Sequence, residues 1–231
     1  MLSEFPTSAP GNLLSVGRQP GGHPPGDPLS TFWKQPPRHW WTRLPELAGT
    51  GFVLRELRTL DAPALAEMLG SSKVAEHLSP GPMSIAETEA FIAWTARARF
   101  AGRYICYGVV PEGSDQAVGV FQIWPLEPGF HTAEWGFALG HRYWGSGLFT
   151  SAARFVLGFT FETLGVERLE ARVAVDNARG NAALRKLGAV REGVLRRCFQ
   201  SQGEYRDHVM WSILVDEWRA TDMRPRVGEV A

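Results

Sequence analysis

The sequence predicts a mixed α/β (α+β) fold in a single domain, and three observations carry that prediction. Short runs rich in β-branched and aromatic residues alternate polar with apolar, while longer runs repeat apolar residues at helical spacing. The two patterns interleave along the chain from residue 51 to residue 215 instead of segregating. One alternating run leads through a glycine-bearing turn directly into an amphipathic helix.

The elements follow in order. Phe52 to Leu57 reads as the first strand. Asp61 is placed to cap a short helix through Leu69, with Pro63 tolerated in its first turn. Ser84 and Glu87 form a capping box ahead of a helix carrying Ile85, Phe91, Ile92 and Trp94. Tyr104 to Val110 and Ala117 to Trp124 are β-rich runs separated by a turn at residues 111–115, so they read as a hairpin-like antiparallel pair. In the strand Thr132 to Leu139, Ala133, Trp135, Phe137 and Leu139 share one face, and Thr132, Glu134, Gly136 and Ala138 the other. A helix follows with Leu148, Ala152, Phe155, Val156 and Phe159. Leu169 to Val175 alternates again. Asn177 to Leu187 is a helix that stops at Gly188, with Arg185 and Lys186 in its last turn. Val209 to Val215 is the last strand.

Composition sets the boundaries. The first 45 residues hold nine of the 16 prolines, and Pro6, Pro10, Pro20, Pro24, Pro25 and Pro28 forbid regular structure there. Residues 1–48 therefore read as a Pro-rich extension, partly disordered. Its Trp33, Trp40 and Trp41 are out of character for a disordered arm. Residues 32–48 are expected to pack onto the domain or onto a partner subunit, which leaves a homodimer open. The folded domain spans 49–220, and 221–231 is a C-terminal tail. The 24 basic and 24 acidic residues cancel, which argues against a protein that coats nucleic acid. No run reaches the 18 or so apolar residues of a membrane span, and the N-terminus lacks a signal-peptide pattern, so a cytoplasmic location is expected. Two distant cysteines, Cys106 and Cys198, support neither a disulfide nor a metal framework; Cys106 reads as a reduced core thiol.

The turn Arg142-Tyr143-Trp144-Gly145-Ser146-Gly147 carries the chemistry. Amides at a helix N-terminus lack intrahelical partners and face the positive end of the dipole. Two glycines let the loop curl and let a bulky anion approach the main chain, so a diphosphate fits. Alone, Gly-x-Gly is also an ordinary turn. No Gly-Lys-Ser/Thr ending makes it a phosphate-binding Walker loop, and a third glycine is missing for a dinucleotide fold.

The string Arg-x-x-Gly-x-Gly at 142–147 resembles the acyl-CoA pyrophosphate signature of the GNAT acetyltransferases. Asn177 through Ala189 resembles that superfamily's segment from its fifth strand into the following helix. Glu192-Gly193-Val194-Leu195-Arg196 and Asp207-x-x-Met210-x-Ser212-Ile213-Leu214, ending in Glu217-Trp218, are similar to the RimJ/RimL branch. The resemblance covers about residues 51–218. It implies a mainly antiparallel mixed sheet whose fourth and fifth strands splay, with helices on both sides. It implies acetyl-CoA as co-substrate: the main chain of Phe137, Ala138 and Leu139 pairs with pantetheine, the amides from Tyr143 through Leu148, with Trp144, Gly145, Ser146 and Gly147 between them, hold the pyrophosphate, and Asn177 meets the pantetheine end. Asn177 is also a helix cap, and the two roles are compatible. Arg142, Arg179 and Lys186 are candidate phosphate neighbours or solvated surface residues.

The expected reaction is attack of a primary amine, on a protein N-terminus or a small molecule, on the thioester. An amine is mostly protonated at neutral pH, so a base helps. Glu134 is the candidate, beside the small Gly136; its other reading is a solvated or salt-bridged strand residue. His131 starts the same strand and is a weaker alternative. Many relatives place a tyrosine acid where this chain has Leu184, and the usual serine is Gly180 here. A thiol ionising near 8.5 can leave unaided. The competing class is a non-catalytic acyl-CoA sensor. A Gly-loop nucleotide binder lacks its lysine or acidic ribose partner, and no metal is expected.

Overall fold

The first six strands of the sheet are laid down in chain order, each beside the one before it. The computed structural model describes residues 40–78, 82–201 and 204–221. Strands β1 (Leu47–Gly49), β2 (Phe52–Glu56), β3 (Ile105–Pro111), β4 (Gly119–Pro125), β5 (Thr132–Leu139), β6 (Arg168–Ala174), β7 (Val190–Ser201) and β8 (Glu204–Leu214) form one sheet in the order β1-β2-β3-β4-β5-β6-β8-β7. All neighbours are antiparallel except β5 and β6, which run parallel.

Helices α1 (Ala62–Gly70), α2 (Ser72–Ala75) and α3 (Ile85–Phe100) cover one face, and α4 (Leu148–Gly158) and α5 (Ala178–Lys186) the other. A short α6 (Val215–Ala220) closes the described chain. Both faces of β5 are buried: Ala133, Trp135 and Leu139 join the α4/α5 core, and Ala138 joins the α1/α3 core. Cys106 is a free, buried thiol on β3.

Local chemistry explains the helix limits. Ser84 and Glu87 exchange the capping-box bonds that open α3, Ser84 N to Glu87 Oε2 at 2.8 Å and Glu87 N to Ser84 Oγ at 3.2 Å. Asn177 Oδ1 accepts from Gly180 N at 2.8 Å to open α5, and Gly188, at φ +80°, ends it. Asp61 does not cap α1 as its position suggests. Its carboxylate is taken by Arg55 at 2.8 and 2.9 Å, Arg58 N at 2.6 Å and Ala117 N at 2.9 Å. Those donors tie α1 to β2 and to the start of β4, a stronger use of a buried charge than one helix amide.

Other expectations shift. β1 and β7 were not anticipated, so the parting strands are the fifth and sixth. The edge strand β7 keeps Val190 and Val194 exposed and breaks register twice against β8, which blurs its alternation. The last strand starts at Glu204 and Val215 already begins α6. Trp40 and Leu44 pack onto the domain, Trp40 edge-on to Phe130 at 5.5 Å, while the expected packing residues 32–39 lie outside the described residues.

Candidate active site: a cleft through the parted sheet

The β5–β6 pairing ends at Glu134 opposite Glu170. Beyond it the two strands are unpaired with each other, and a cleft of about 800 Å³ opens between them. Strand alternation divides this cleft. Trp135, Phe137, Leu139, Ala171 and Val173 line it on the α4/α5 side, and Gly136, Ala138, Arg172, Ala174 and His208 on the α1/α2 side. The cleft is therefore reachable from both faces of one sheet, apolar on one and polar on the other.

On the α4 side the turn leaves room and amides open toward the cleft. Gly145 and Gly147 take φ +79° and +87°, where L side chains are strained, and a Cβ added to either meets nothing within 4 Å. Tyr143 N bonds Gly140 O at 2.9 Å and Trp144 N bonds His141 O at 3.2 Å, so these two amides are already used. The amides of Gly145, Ser146 and Gly147 have no partner among the described residues and sit at the N-terminus of α4. Ser146 Oγ braces the turn against Tyr143 O at 2.7 Å, and Trp144 Nε1 pins it to Leu139 O at 2.8 Å. The Arg179 guanidinium lies 4.2 Å over the Trp144 ring.

The sequence-predicted residues divide accordingly. Phe137, Ala138, Leu139, Tyr143, Trp144, Gly145, Gly147, Asn177 and Lys186 all line the cleft. Arg142, Ser146 and Leu148 do not: Arg142 pairs with Glu67 at 3.1 Å on the open surface, and Ser146 Oγ and the Leu148 amide are 3.3 Å apart within the turn. His131 is exposed outside the cleft, and Leu184 is fully buried in the core. At Gly180 a Cβ would meet Asn177 Nδ2 and Val173 Cγ1 at 2.9 Å each, so a larger residue would crowd the cap.

Glu134 stands where the strands part. It is 0% exposed, and among the described residues the Trp124 indole is the one hydrogen-bond donor near its carboxylate. Burial pushes its pKa up to about 7; Arg172, at 3.7 Å, pulls the other way, Glu170 adds to the rise, and the Trp124 indole opposes it. Glu134 does not itself line the open cleft, but Gly136 and Arg172 beside it do.

Sequence reasoning missed several contributors. Arg172 and His208 lie on the α1/α2 half, as do Lys73, Glu76 and His77 on and after α2. Asn181 fixes the β6–α5 turn, giving Nδ2 to Ala174 O at 2.9 Å and to Asn177 O at 2.8 Å while accepting from Trp211 Nε1 at 2.9 Å. A polar residue among Leu169, Ala171 and Val173 was the one available signal, and it equally fits a solvent face.

Comparison with known proteins gives a consistent outcome. The family model for the acetyltransferase (GNAT) domain matches residues 52–190. An uncharacterized N-acetyltransferase of Bacillus licheniformis is 24% identical over 72% of this chain and 94% of its own length. The ribosomal protein uS5-alanine N-acetyltransferase of Escherichia coli is 25% identical over 51% of this chain and 61% of its own. The structure of Mycobacterium smegmatis RimJ in complex with CoA-disulfide superposes with a TM-score of 0.64 at 24% identity, covering 75% of this chain and 87% of that one.

Proposed function

Because the chain belongs to the GNAT acetyltransferase family and is an acyl-CoA-dependent N-acyltransferase, we propose that it moves acetyl from acetyl-CoA to a primary amine by direct attack in a ternary complex. The observation that carries this reading is the cleft through the sheet, with the free amides of Gly145 to Gly147 on one face and the buried Glu134 carboxylate where the strands part.

The residues divide the work. The amides of Gly145 to Gly147 receive the diphosphate, with Lys186 and Arg179 beside it. The unpaired edge of β5 from Trp135 to Leu139 lies along the pantetheine arm, and Asn177 stands at its far end. The amine enters from the α2 face. Its nitrogen bonds to the thioester carbonyl carbon, and charge collects on the carbonyl oxygen near the β5 amides. The C–S bond then breaks, with its electron pair going to sulfur. The surplus amine proton passes through water to Glu134, whose pKa near 7 suits a base at neutral pH. Leu184 supplies no acid, and a thiol of ordinary acidity leaves without one. Among the described residues no helix is long and apolar enough to cross a membrane.

The test is thiol release from acetyl-CoA with a panel of amines and N-terminal peptides, set beside calorimetric acetyl-CoA binding. Wild type is expected to bind acetyl-CoA and to release thiol only with an amine present. Gly147→Trp is expected to abolish binding, since the indole would fill the diphosphate's place. A folded Gly147→Trp protein that binds normally would sink the site assignment.

A further inference from the structure

The α2 half of the cleft contains a cation, Arg172, with no hydrogen bond to the described residues and two loose ion pairs. Arg172 lines the cleft with its side chain 21% exposed. Its nearest acids are Glu134, with Nε 3.7 Å from Oε1, and Glu170, with Nη2 4.0 Å from Oε2. Both separations exceed hydrogen-bonding range, and Nε is buried without a partner. Arg168, two residues earlier on the same face, shows what satisfaction looks like. It grips Glu192 with two bonds at 2.7 and 2.5 Å and Glu170 with a third at 2.8 Å.

A guanidinium offers five N–H donors in a planar fork that matches a carboxylate. Holding Nε buried and unpartnered is unfavourable, and a ligand carboxylate entering the cleft would complete the guanidinium's donors. The rest of this half adds one neutral polar group and one further cation. His208 sits diagonally across β6 and β8 on the same face, 5% exposed, with Nε2 unpartnered. Burial holds it neutral by lowering its pKa to about 4, so it adds a polar contact without a charge. Lys73 brings a second cation from α2, while Glu76 at the rim is 59% exposed and solvent-screened.

We propose that Arg172 determines acceptor specificity by binding a carboxylate carried on the amine, so that small amino acids are preferred over neutral or polycationic amines. This rests on the acetyltransferase reading of the cleft. A carboxylate on Arg172 places the amine a few bonds away, above Gly136 and close to Glu134, which joins recognition to proton removal.

The experiment pairs amino acids with their carboxamides, using two readouts on the full chain. One is titration into protein saturated with CoA; the other is steady-state acetylation. Wild type is expected to favour the acid over its amide at least tenfold in kcat/KM and in affinity. Arg172→Gln is expected to collapse that ratio to about one, mainly through KM, and Arg172→Lys to keep part of it. The lysine variant also covers the case in which Arg172→Gln fails to fold. Equal use of acids and amides by wild type overturns the proposal, as does a preference for peptide N-termini whose carboxylate is blocked. A loss in Arg172→Gln that is equal for acids and amides also overturns it, because Arg172 would then act through Glu134 alone. Arg172-dependent binding of acids without any acetylation supports the proposal and removes the acetyl-transfer reading. Acetylation with no acid preference does the reverse.

Discussion

Asp61 and Glu134 are both 0% exposed carboxylates, yet the protein treats them in opposite ways. Burial pushes Asp61 up, but the Arg55 fork and the amides of Arg58 and Ala117 outweigh it and hold its pKa below the usual value. Burial dominates at Glu134, where one cation at 3.7 Å and the Trp124 indole oppose it weakly and a second acid lies nearby; its pKa rises to about 7. Glu134 is also the more deeply packed of the two, so heavier desolvation and fewer donors act together to separate them. Asp61 is a charged rivet between β2, α1 and the β3–β4 turn. Glu134 is left able to change its protonation at neutral pH, at the place where two strands separate.

The largest expected effect on stability is at the rivet. Asp61→Asn removes the charge that balances Arg55 inside the fold and should destabilise the protein by about 3 kcal/mol in urea denaturation at pH 7. That loss should shrink in acid, because a carboxylate with a lowered pKa stabilises only above its unfolded value and loses the contribution as it protonates. An undiminished penalty at low pH would show that the ion pair is not its source.

Glu134→Gln is expected to act on rate. Loss of a general base lowers kcat by roughly 10²–10⁴-fold, and acetyl-CoA affinity should stay within a few-fold. In wild type, kcat/KM should fall as pH drops below about 7, where Glu134 protonates. A variant with the wild-type pH profile would remove Glu134 from the chemistry.

Stability at Glu134 should run opposite to that at Asp61. A carboxyl whose folded pKa is raised contributes stability below its unfolded pKa, and this is lost as pH rises to the folded value. Moving wild type from pH 4.5 to pH 7.5 should therefore cost on the order of 3 kcal/mol at this one group, which Glu134→Gln should not show. Denaturation curves of both proteins at the two pH values check it.

How much of this was legible in the sequence differs between the two carboxylates. Glu134 could be chosen because strand alternation fixes which face it shares with Gly136, and the turn after Leu139 fixes the strand's role. Asp61 was read as a helix cap, since its partners Arg55 and Ala117 come from elements that only the tertiary fold brings together. The turn at 142–147 was legible because positive φ demands glycine and helix N-termini attract anions, both local facts. Which amides remain free was not, because that depends on hydrogen bonds to Gly140 and His141. β7 stayed hidden because an edge strand with two register breaks has no buried face to impose alternation. Arg172 and His208 were missed because their meeting depends on β6 pairing with β8, a register no single strand records.

The smallest effect falls on Asn177, which combines the two behaviours. Its Oδ1 is committed to Gly180 N, as Asp61 is to its donors, while its Nδ2 has no hydrogen bond among the described residues and the side chain lines the cleft. Asn177→Ala should cost about 1 kcal/mol of stability through the lost cap. Asn177→Asp keeps an oxygen for Gly180 and removes only the Nδ2 donors, so stability should stay within about 0.5 kcal/mol of wild type. Acetyl-CoA affinity should nonetheless drop about threefold to tenfold, the value of one hydrogen bond. Calorimetric binding to the aspartate variant isolates that term. Unchanged affinity would make Asn177 a cap alone and confine ligand contacts on this side to the main chain of β5 and the glycine turn.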